Sequence, residues 1–275
     1  MNIASTVSLS NGVRIPQFGL GVYKVEESKA NDTVLSALDL GYRHIDTASF
    51  YGNERQVGDA LQETEVPRED IFVTTKVWND EQGYEETLEA FEQSLEKLQT
   101  DYVDLYLIHW PVPGKFQETW RALELLYEQG RVRAIGVCNF QEHHLEKLLE
   151  VAEVIPVVDQ VEFHPRLYQK DLLDFCQQKE IKLEAWAPLG RAQYFDAPVL
   201  QSLAEKHGKT PAQIILRWEL QHDIITIPKS VKPKRQKENA DVFDFELSPE
   251  DMNEMDEMNR DQRLSKHPDD FPYDL

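Results

Sequence analysis

The run Val103-Asp-Leu-Tyr-Leu-Ile-His109 decides the fold. It is apolar almost throughout, as a parallel strand buried on both faces is, and lacks the apolar–polar alternation of a strand with one wet face. The segments around it read as helices. In Tyr84–Leu98, Leu88, Phe91, Leu95 and Leu98 fall on one helical face, and Phe116–Gln129 follows with the same periodicity. Working outward, similar strand-like runs stand at Phe18–Gly21, His44–Asp46, Ile71–Val77, Val132–Cys138, Val157–Glu162, Lys182–Trp186 and Ile224–Pro228. Further helix-like stretches lie at Ser28–Leu40, Asn53–Gln62, Gln141–Val151, Gln169–Lys179, Val199–Trp218 and Lys232–Val242. Eight such alternations in 275 residues predict a (β/α)8 TIM barrel, an α/β fold, as one domain over 1–275. Two additions are predicted: an N-terminal β-hairpin over Thr6–Ile15, with Asn11-Gly12 at its turn, plugging the barrel floor, and an extra helix from Ser248 to about Arg260.

Composition excludes several classes. The net charge of −21 opposes nucleic acid and anionic membrane, which are bound through Lys and Arg. No apolar run has the length of a membrane helix, and the N-terminus lacks the pattern of a signal peptide. Two cysteines, Cys138 and Cys176, with no Cys-x-x-Cys pair, point to a reducing cytoplasm.

A parallel barrel carries its chemistry at the C-terminal ends of its strands and in the loops after them. Those ends hold Asp46, Tyr51, Lys76 and His109. Singly, each has an ordinary explanation as a cap, an exposed cation or a core histidine. Together they make chemical sense, because hydride delivery to a carbonyl leaves an oxyanion that needs a proton. Tyr51 is the candidate general acid. Lys76 is expected to lower its pKa, Asp46 to keep Lys76 charged, and His109 to orient the carbonyl. His44, His164 and the His143-His144 pair show no metal-like spacing to a carboxylate or cysteine, so no metal is expected.

Three segments resemble the aldo-keto reductase signatures: Gly41-Tyr-Arg-His-Ile-Asp-Thr-Ala-Ser-Phe-Tyr-Gly-Asn-Glu54, Asp104-Leu-Tyr-Leu-Ile-His-Trp-Pro111 and Ile227-Pro-Lys-Ser-Val-Lys-Pro-Lys-Arg-Gln-Lys-Glu-Asn239. The resemblance runs from about Gly12 to Phe245. It looks most like the bacterial branch with glyoxal, methylglyoxal and 2,5-diketo-gluconate reductases. It implies an NADPH-dependent, cytoplasmic, monomeric reductase of small aldehydes and ketones, including aromatic aldehydes and keto-sugars.

There is no Gly-x-Gly-x-x-Gly, since Gly19-Leu-Gly21 continues as Val-Tyr-Lys, so a Rossmann domain is not supported. One segment is electrostatically odd: Lys229, Lys232, Lys234, Arg235 and Lys237 stand together without an acid in an acidic chain. Cations opening a helix oppose its dipole unless an anion is bound there. The resemblance implies that Lys229, Ser230, Val231 and Arg235 hold the adenosine 2′-phosphate of NADPH (NADP+), with Glu238 and Asn239 near the adenine. It further implies that Cys138, Asn139 and Gln160 hold the carboxamide, and that Trp186 stacks on the nicotinamide. Gly21, Val22 and Asp46 would line the ribose, and Pro188, Leu189 and Gly190 the pyrophosphate. Cys138 stands where serine is usual, and a thiol is the weaker hydrogen-bond partner.

Tyr23, Phe50, Trp78, His109 and Trp110 match the family's substrate pocket; rim packing is the alternative for Tyr23, Phe50 and Trp78. Only fifteen residues follow Arg260, which predicts an open, permissive mouth. Two other functions compete with the reductase: an NADPH-binding regulatory protein, which would not require Tyr51 with Lys76, and a sugar-phosphate isomerase, which would need a catalytic carboxylate elsewhere.

Overall fold

A computed structural model describes residues 2–273. Among the described residues, ten strands and ten helices are numbered in chain order. A two-stranded hairpin, β1 (Thr6–Ser8) and β2 (Arg14–Pro16), precedes eight parallel strands. These are β3 (Leu20–Gly21), β4 (His44–Asp46), β5 (Phe72–Val77), β6 (Val103–Ile108), β7 (Val132–Cys138), β8 (Val158–Glu162), β9 (Lys182–Trp186) and β10 (Ile225–Thr226). Each pairs with the next in sequence. A parallel bridge between Phe18 and Thr226, with Gly19 N–H donating to the Thr226 carbonyl at 2.9 Å, joins the first to the last and closes the barrel.

The long apolar runs become β5, β6 and β7, the central strands, because every residue of β5 and β6 is buried. Helices α1 (Glu27–Asp39), α2 (Glu54–Glu63), α3 (Tyr84–Leu98), α4 (Phe116–Glu128), α5 (Glu142–Leu149) and α6 (Lys170–Gln178) follow the strands in turn. The hairpin seals the floor as expected. Its Leu9 and Ile15 pack beneath the barrel against Phe72, Leu105, Leu107, Ala134, Val158 and Ile225.

Two sequence expectations are corrected. The single helix expected over Val199–Trp218 is two, α7 (Pro198–His207) and α8 (Pro211–Gln221). Gly208 ends α7 in the left-handed region (φ 62°), and Thr210 starts α8 with a reciprocal cap to Gln213 before Pro211. After α9 (Pro233–Ala240), the last helix, α10 (Pro249–Asp256), stops short of Arg260. The chain beyond it is not idle: Arg260 and Gln262 donate their N–H groups to the Arg166 carbonyl, and Phe271 stacks face to face on Trp110 at 3.9 Å. Among the described residues, no helix is long and apolar enough to cross a membrane.

Candidate active site

Four residues from the strand ends converge. Asp46 ends β4, Lys76 lies on β5, and Tyr51 sits in a single helical turn, Ser49–Tyr51, after β4. Lys76 is fully buried, and its Nζ donates to Asp46 Oδ1 at 2.8 Å, Asp46 Oδ2 at 2.7 Å, the Thr47 carbonyl at 2.8 Å and Tyr51 Oη at 3.3 Å. Every direction the ammonium can use is therefore taken, which offsets the several kcal/mol that burial of each ion costs. His109, 8% exposed, follows β6 with its ring 5.7 Å from that of Tyr51 and edge-on.

The electrostatics refine the sequence expectation at one point. Lys76 does pull the Tyr51 phenol down, yet burial is the larger effect, and the hydroxyl is held above its ordinary value. The ammonium is already largely neutralised by Asp46, so Tyr51 rests as a protonated acid. Burial, reinforced by Lys76, pushes His109 well below its ordinary value and keeps the imidazole neutral. Its Nδ1 has no protein partner.

The groups expected at the nicotinamide gather on the adjoining wall. Gln160 Nε2 donates to Asp46 Oδ2 at 2.8 Å. Asn139, in the left-handed region (φ 61°), donates from Nδ2 to the His109 carbonyl at 2.9 Å and accepts from Trp186 Nε1 at 2.9 Å. Asn139 keeps a second N–H, and Gln160 keeps its carbonyl oxygen. Tethering through Nε1 fixes the Trp186 plane and leaves the half-exposed ring available for stacking. Gly21 has a packing reason of its own: a Cβ there would come within 2.9 Å of the Ile227 carbonyl. Val22 is buried beside it, its N–H donating to the Asp46 carbonyl. Cys138 is the third group expected at the carboxamide. It is fully buried in the barrel interior against the floor cluster, and burial pushes its thiol well up, so it stays neutral.

Pro188, Leu189 and Gly190 form a loop in which Ala187, Gly190, Arg191 and Ala192 all have positive φ. A side chain at Gly190 would collide with the Tyr194 ring. Beyond β10, Lys229, Val231, Lys232, Lys234, Arg235 and Lys237 are exposed, while Ser230 and Asn239 are buried and Glu238 half-buried. Ser230 Oγ accepts from Lys232 N–H at 3.2 Å, shaping the turn into α9. This donor set, exposed cations around a helix start with no neighbouring acid among 229–237, fits a phosphate.

Around His109, Trp78 stands edge-on at 4.9 Å and stacks on Phe50 at 3.8 Å, while Tyr23 packs on Tyr51 at 4.9 Å. Tyr23 (42%) and Phe50 (49%) are exposed, so the mouth is open on their side. Trp110 is not open: it is 7% exposed under Phe271. The tail is pinned by Glu162, whose carboxylate accepts the N–H groups of Leu264 and Ser265, and by Arg263 donating to Gln169 Oε1 at 2.7 Å. Asp269 of the same tail reaches His143 Nε2 at 3.0 Å and His144 Nε2 at 3.3 Å, a carboxylate that sequence spacing could not bring to that pair. Gln141 N–H donates to His144 Nδ1, which places the ring proton on Nε2 toward Asp269. The group is thus a hydrogen-bonded latch for the tail.

Several supporting residues escaped sequence reading. Asn53 accepts from Thr47 Oγ1 at 2.9 Å and donates to the Val22 carbonyl at 3.0 Å, stapling the Tyr51 loop to the one after β3. Glu81 accepts from Ser49 Oγ at 2.6 Å and from Trp78 N–H at 3.0 Å, steadying the aromatic platform. Gln236, buried in α9, donates to the carbonyls of Thr33 and Ser230, both at 3.0 Å. The motif containing Gly52-Asn53-Glu54 carried the only available signal, and it assigned Asn53 no role.

A barrel whose strand ends assemble a buried Lys–Asp pair, a tyrosine and a neutral histidine is matched at the level of family. The Aldo/keto reductase family model covers residues 16–260, and the chain belongs to that family. The chain is 58% identical over 271 residues to a glyoxal reductase of Bacillus subtilis (strain 168), covering 98% of each. It is 44% identical over 271 residues to the methylglyoxal reductase DkgA of Escherichia coli (strain K12), covering 97% of this chain and 98% of that one. Among solved structures, a point mutant of Gox0644 in complex with NADPH superposes with a TM-score of 0.93 at 44% identity, covering 97% of this chain and 98% of that one.

Proposed function

We propose that this oxidoreductase reduces small aldehydes and ketones, glyoxal and methylglyoxal among them, with NADPH, and that Tyr51 is the general acid. Aromatic aldehydes and keto-sugars fit the same mouth. The observation that carries the reading is the single ammonium, Lys76 Nζ, which touches both oxygens of Asp46 and the hydroxyl of Tyr51 directly beside neutral His109.

NADPH, when bound, supplies the hydride. The protein's residues do the rest. His109, being uncharged, donates one N–H to the carbonyl oxygen and aligns it without giving up a proton. Tyr51 transfers its hydroxyl proton to that oxygen as negative charge develops on it. Lys76 steadies the phenolate left behind, and Asp46 keeps Lys76 charged throughout. In the reverse direction the same phenolate accepts the alcohol proton. The exposed cations at 229–237 would hold the 2′-phosphate, favouring NADPH over NADH, and Asn139, Gln160 and Trp186 would set the nicotinamide plane. Tyr23, Phe50 and Trp78 form the apolar wall for a small carbonyl, with Trp110 supporting it from beneath Phe271. A soluble monomer in a reducing cytoplasm accords with this role.

The test is a 340 nm assay with methylglyoxal, run with NADPH and with NADH. Tyr51→Phe is expected to lose at least ~100-fold in kcat while still binding NADPH, as removal of a general acid does. Tight NADPH binding without turnover on any small carbonyl, in wild type as in the variant, would favour the regulatory reading instead.

A further inference from the structure

Beneath the catalytic quartet the barrel encloses an acid and an imidazole that the chemistry above leaves unused. Glu184 is the middle residue of β9, fully buried, and neither carboxyl oxygen has a hydrogen-bond partner. His44 Nε2 lies 3.6 Å from Glu184 Oε1 but makes its hydrogen bond to Thr74 Oγ1 at 3.1 Å. The other ring nitrogen, Nδ1, is unpartnered and faces Gly19, where an added Cβ would come within 2.7 Å. Gln160 is paired in register with Glu184 and donates to Asp46 Oδ2, so its amide spans the space between the unused acid and the catalytic one.

Titratable and charged groups face Glu184 from several strands. β4 presents His44 and Asp46, β5 presents Lys76, β7 presents Cys138, and β8 presents the uncharged Gln160. The inward residues of β6 and β10 in this region, Leu105, Leu107 and Ile225, are apolar. The one cation among these groups, Lys76, is fully engaged by Asp46, Thr47 and Tyr51. An ionised Glu184 would have only the uncharged Gln160 amide and an already engaged Lys76 to favour it, too little to offset its burial, so the group is held neutral. Burial accordingly raises Glu184 to about 8, with Asp46 adding to the shift and the Gln160 amide and Lys76 opposing it, and lowers His44 to about 3, with Lys76 adding to it and the Pro16 backbone opposing it. At neutral pH both stand uncharged.

We propose that Glu184 is a positioning residue of the reductase site: protonated, it leaves the Lys76–Asp46 balance undisturbed, and on ionising it switches reduction down by tightening the hold of Tyr51 on its proton. The inference rests on the reductase reading. The sign follows from electrostatics. Loss of the Glu184 proton to solvent adds a negative charge beneath Asp46 and Lys76. That charge opposes a phenolate at Tyr51, so the acid weakens as pH rises and the reverse reaction is displaced to higher pH.

The experiment compares wild type with Glu184→Gln, which fixes the neutral state in nearly the same shape. In methylglyoxal reduction with NADPH, the alkaline fall of kcat/KM should move up by at least about one pH unit in the variant, a tenfold change in the controlling equilibrium. Superimposable alkaline limbs would overturn the proposal. A second readout needs no turnover, so it stands even if the reductase reading fails. Infrared difference spectra, wild type minus Glu184→Gln, should contain a protonated-carboxyl C=O band at pH 7 that disappears on alkaline titration. Carboxylate bands alone at pH 7 would mean an ion pair with His44, and the proposal would fall. Should Glu184→Gln not fold, Glu184→Met gives the same subtraction without a polar group.

Discussion

The floor of this barrel and the polar wall at its mouth are both buried and are held in opposite ways. At the floor, Leu9, Ile15, Phe72, Leu105, Leu107, Ala134, Val158 and Ile225 are all at most 4% exposed. They need only fill volume. At the mouth, Asp46, Lys76, His109, Asn139 and Gln160 are at most 8% exposed, and each depends on a named partner or a suppressed charge. Burial at the floor stabilises through apolar area, whereas at the mouth it costs free energy that pairing must offset. The fold thus separates stability from chemistry along its axis, and a substitution at one end should spare the property held at the other.

The sharpest way to break that separation is Lys76→Met. Removing one partner of a buried pair leaves the other uncompensated, which costs about 3–5 kcal/mol. Among the described residues, Gln160 is then the only side-chain donor left to Asp46. Turnover should fall by at least ~100-fold, because under the proposed mechanism Tyr51 loses the cation that stabilises its conjugate base. Urea denaturation and steady-state kinetics measure the two effects side by side. A variant of unchanged stability would show that the mouth is not held together by charge balance.

Leu105→Ala sharpens the comparison from the other end. Leu105 is fully buried in the floor cluster. Its truncation should destabilise the protein by about 2–5 kcal/mol through lost burial and the cavity left behind. Below the melting range, kcat on methylglyoxal should stay within about twofold of wild type. A large fall in kcat would mean that floor packing sets the mouth geometry, and the two ends would no longer be separable.

The floor and the quartet were both legible in the sequence, for different reasons. The floor announced itself by periodicity: continuous apolar runs and an Asn-Gly turn admit few folds. The quartet was legible because a parallel barrel brings its strand ends together, so Asp46, Lys76 and His109 needed no long-range information beyond the strand count. What stayed hidden depends on partners distant in sequence that are mostly backbone groups. Asn53 serves the Val22 carbonyl, Gln236 the Thr33 carbonyl, and Glu162 the N–H groups of Leu264 and Ser265. A backbone group carries no residue identity, so no motif records it. The raised Tyr51 pKa was hidden as well, since a sequence names the charges around a group but not how dry it is. The division of Val199–Trp218 into two helices was written in Gly208 and Thr210-Pro211, but the apolar periodicity on either side obscured it.

The tail is the smallest lever and lies outside both ends. Phe271 and Trp110 stack at 3.9 Å with planes 17° apart, and such a pair is worth about 0.5–1.5 kcal/mol beyond its buried area. Phe271→Ala removes that contact but leaves the tail anchored through Glu162, the Arg166 carbonyl and Asp269, so the chain should stay in place while Trp110 becomes uncovered. The expected effect is on binding rather than chemistry, because neither ring touches Tyr51 or Lys76. KM for an aromatic aldehyde, large enough to feel the tilt of Trp110, should rise by ~3- to 10-fold, which matches the stacking energy at about 1.4 kcal/mol per factor of ten. For methylglyoxal, which under the proposed mechanism needs only the Tyr51–His109 end of the pocket, KM should change by less than about twofold. If kcat fell for both substrates alike, the tail would be supporting the quartet itself, and the mouth would extend further along the chain than its strand ends.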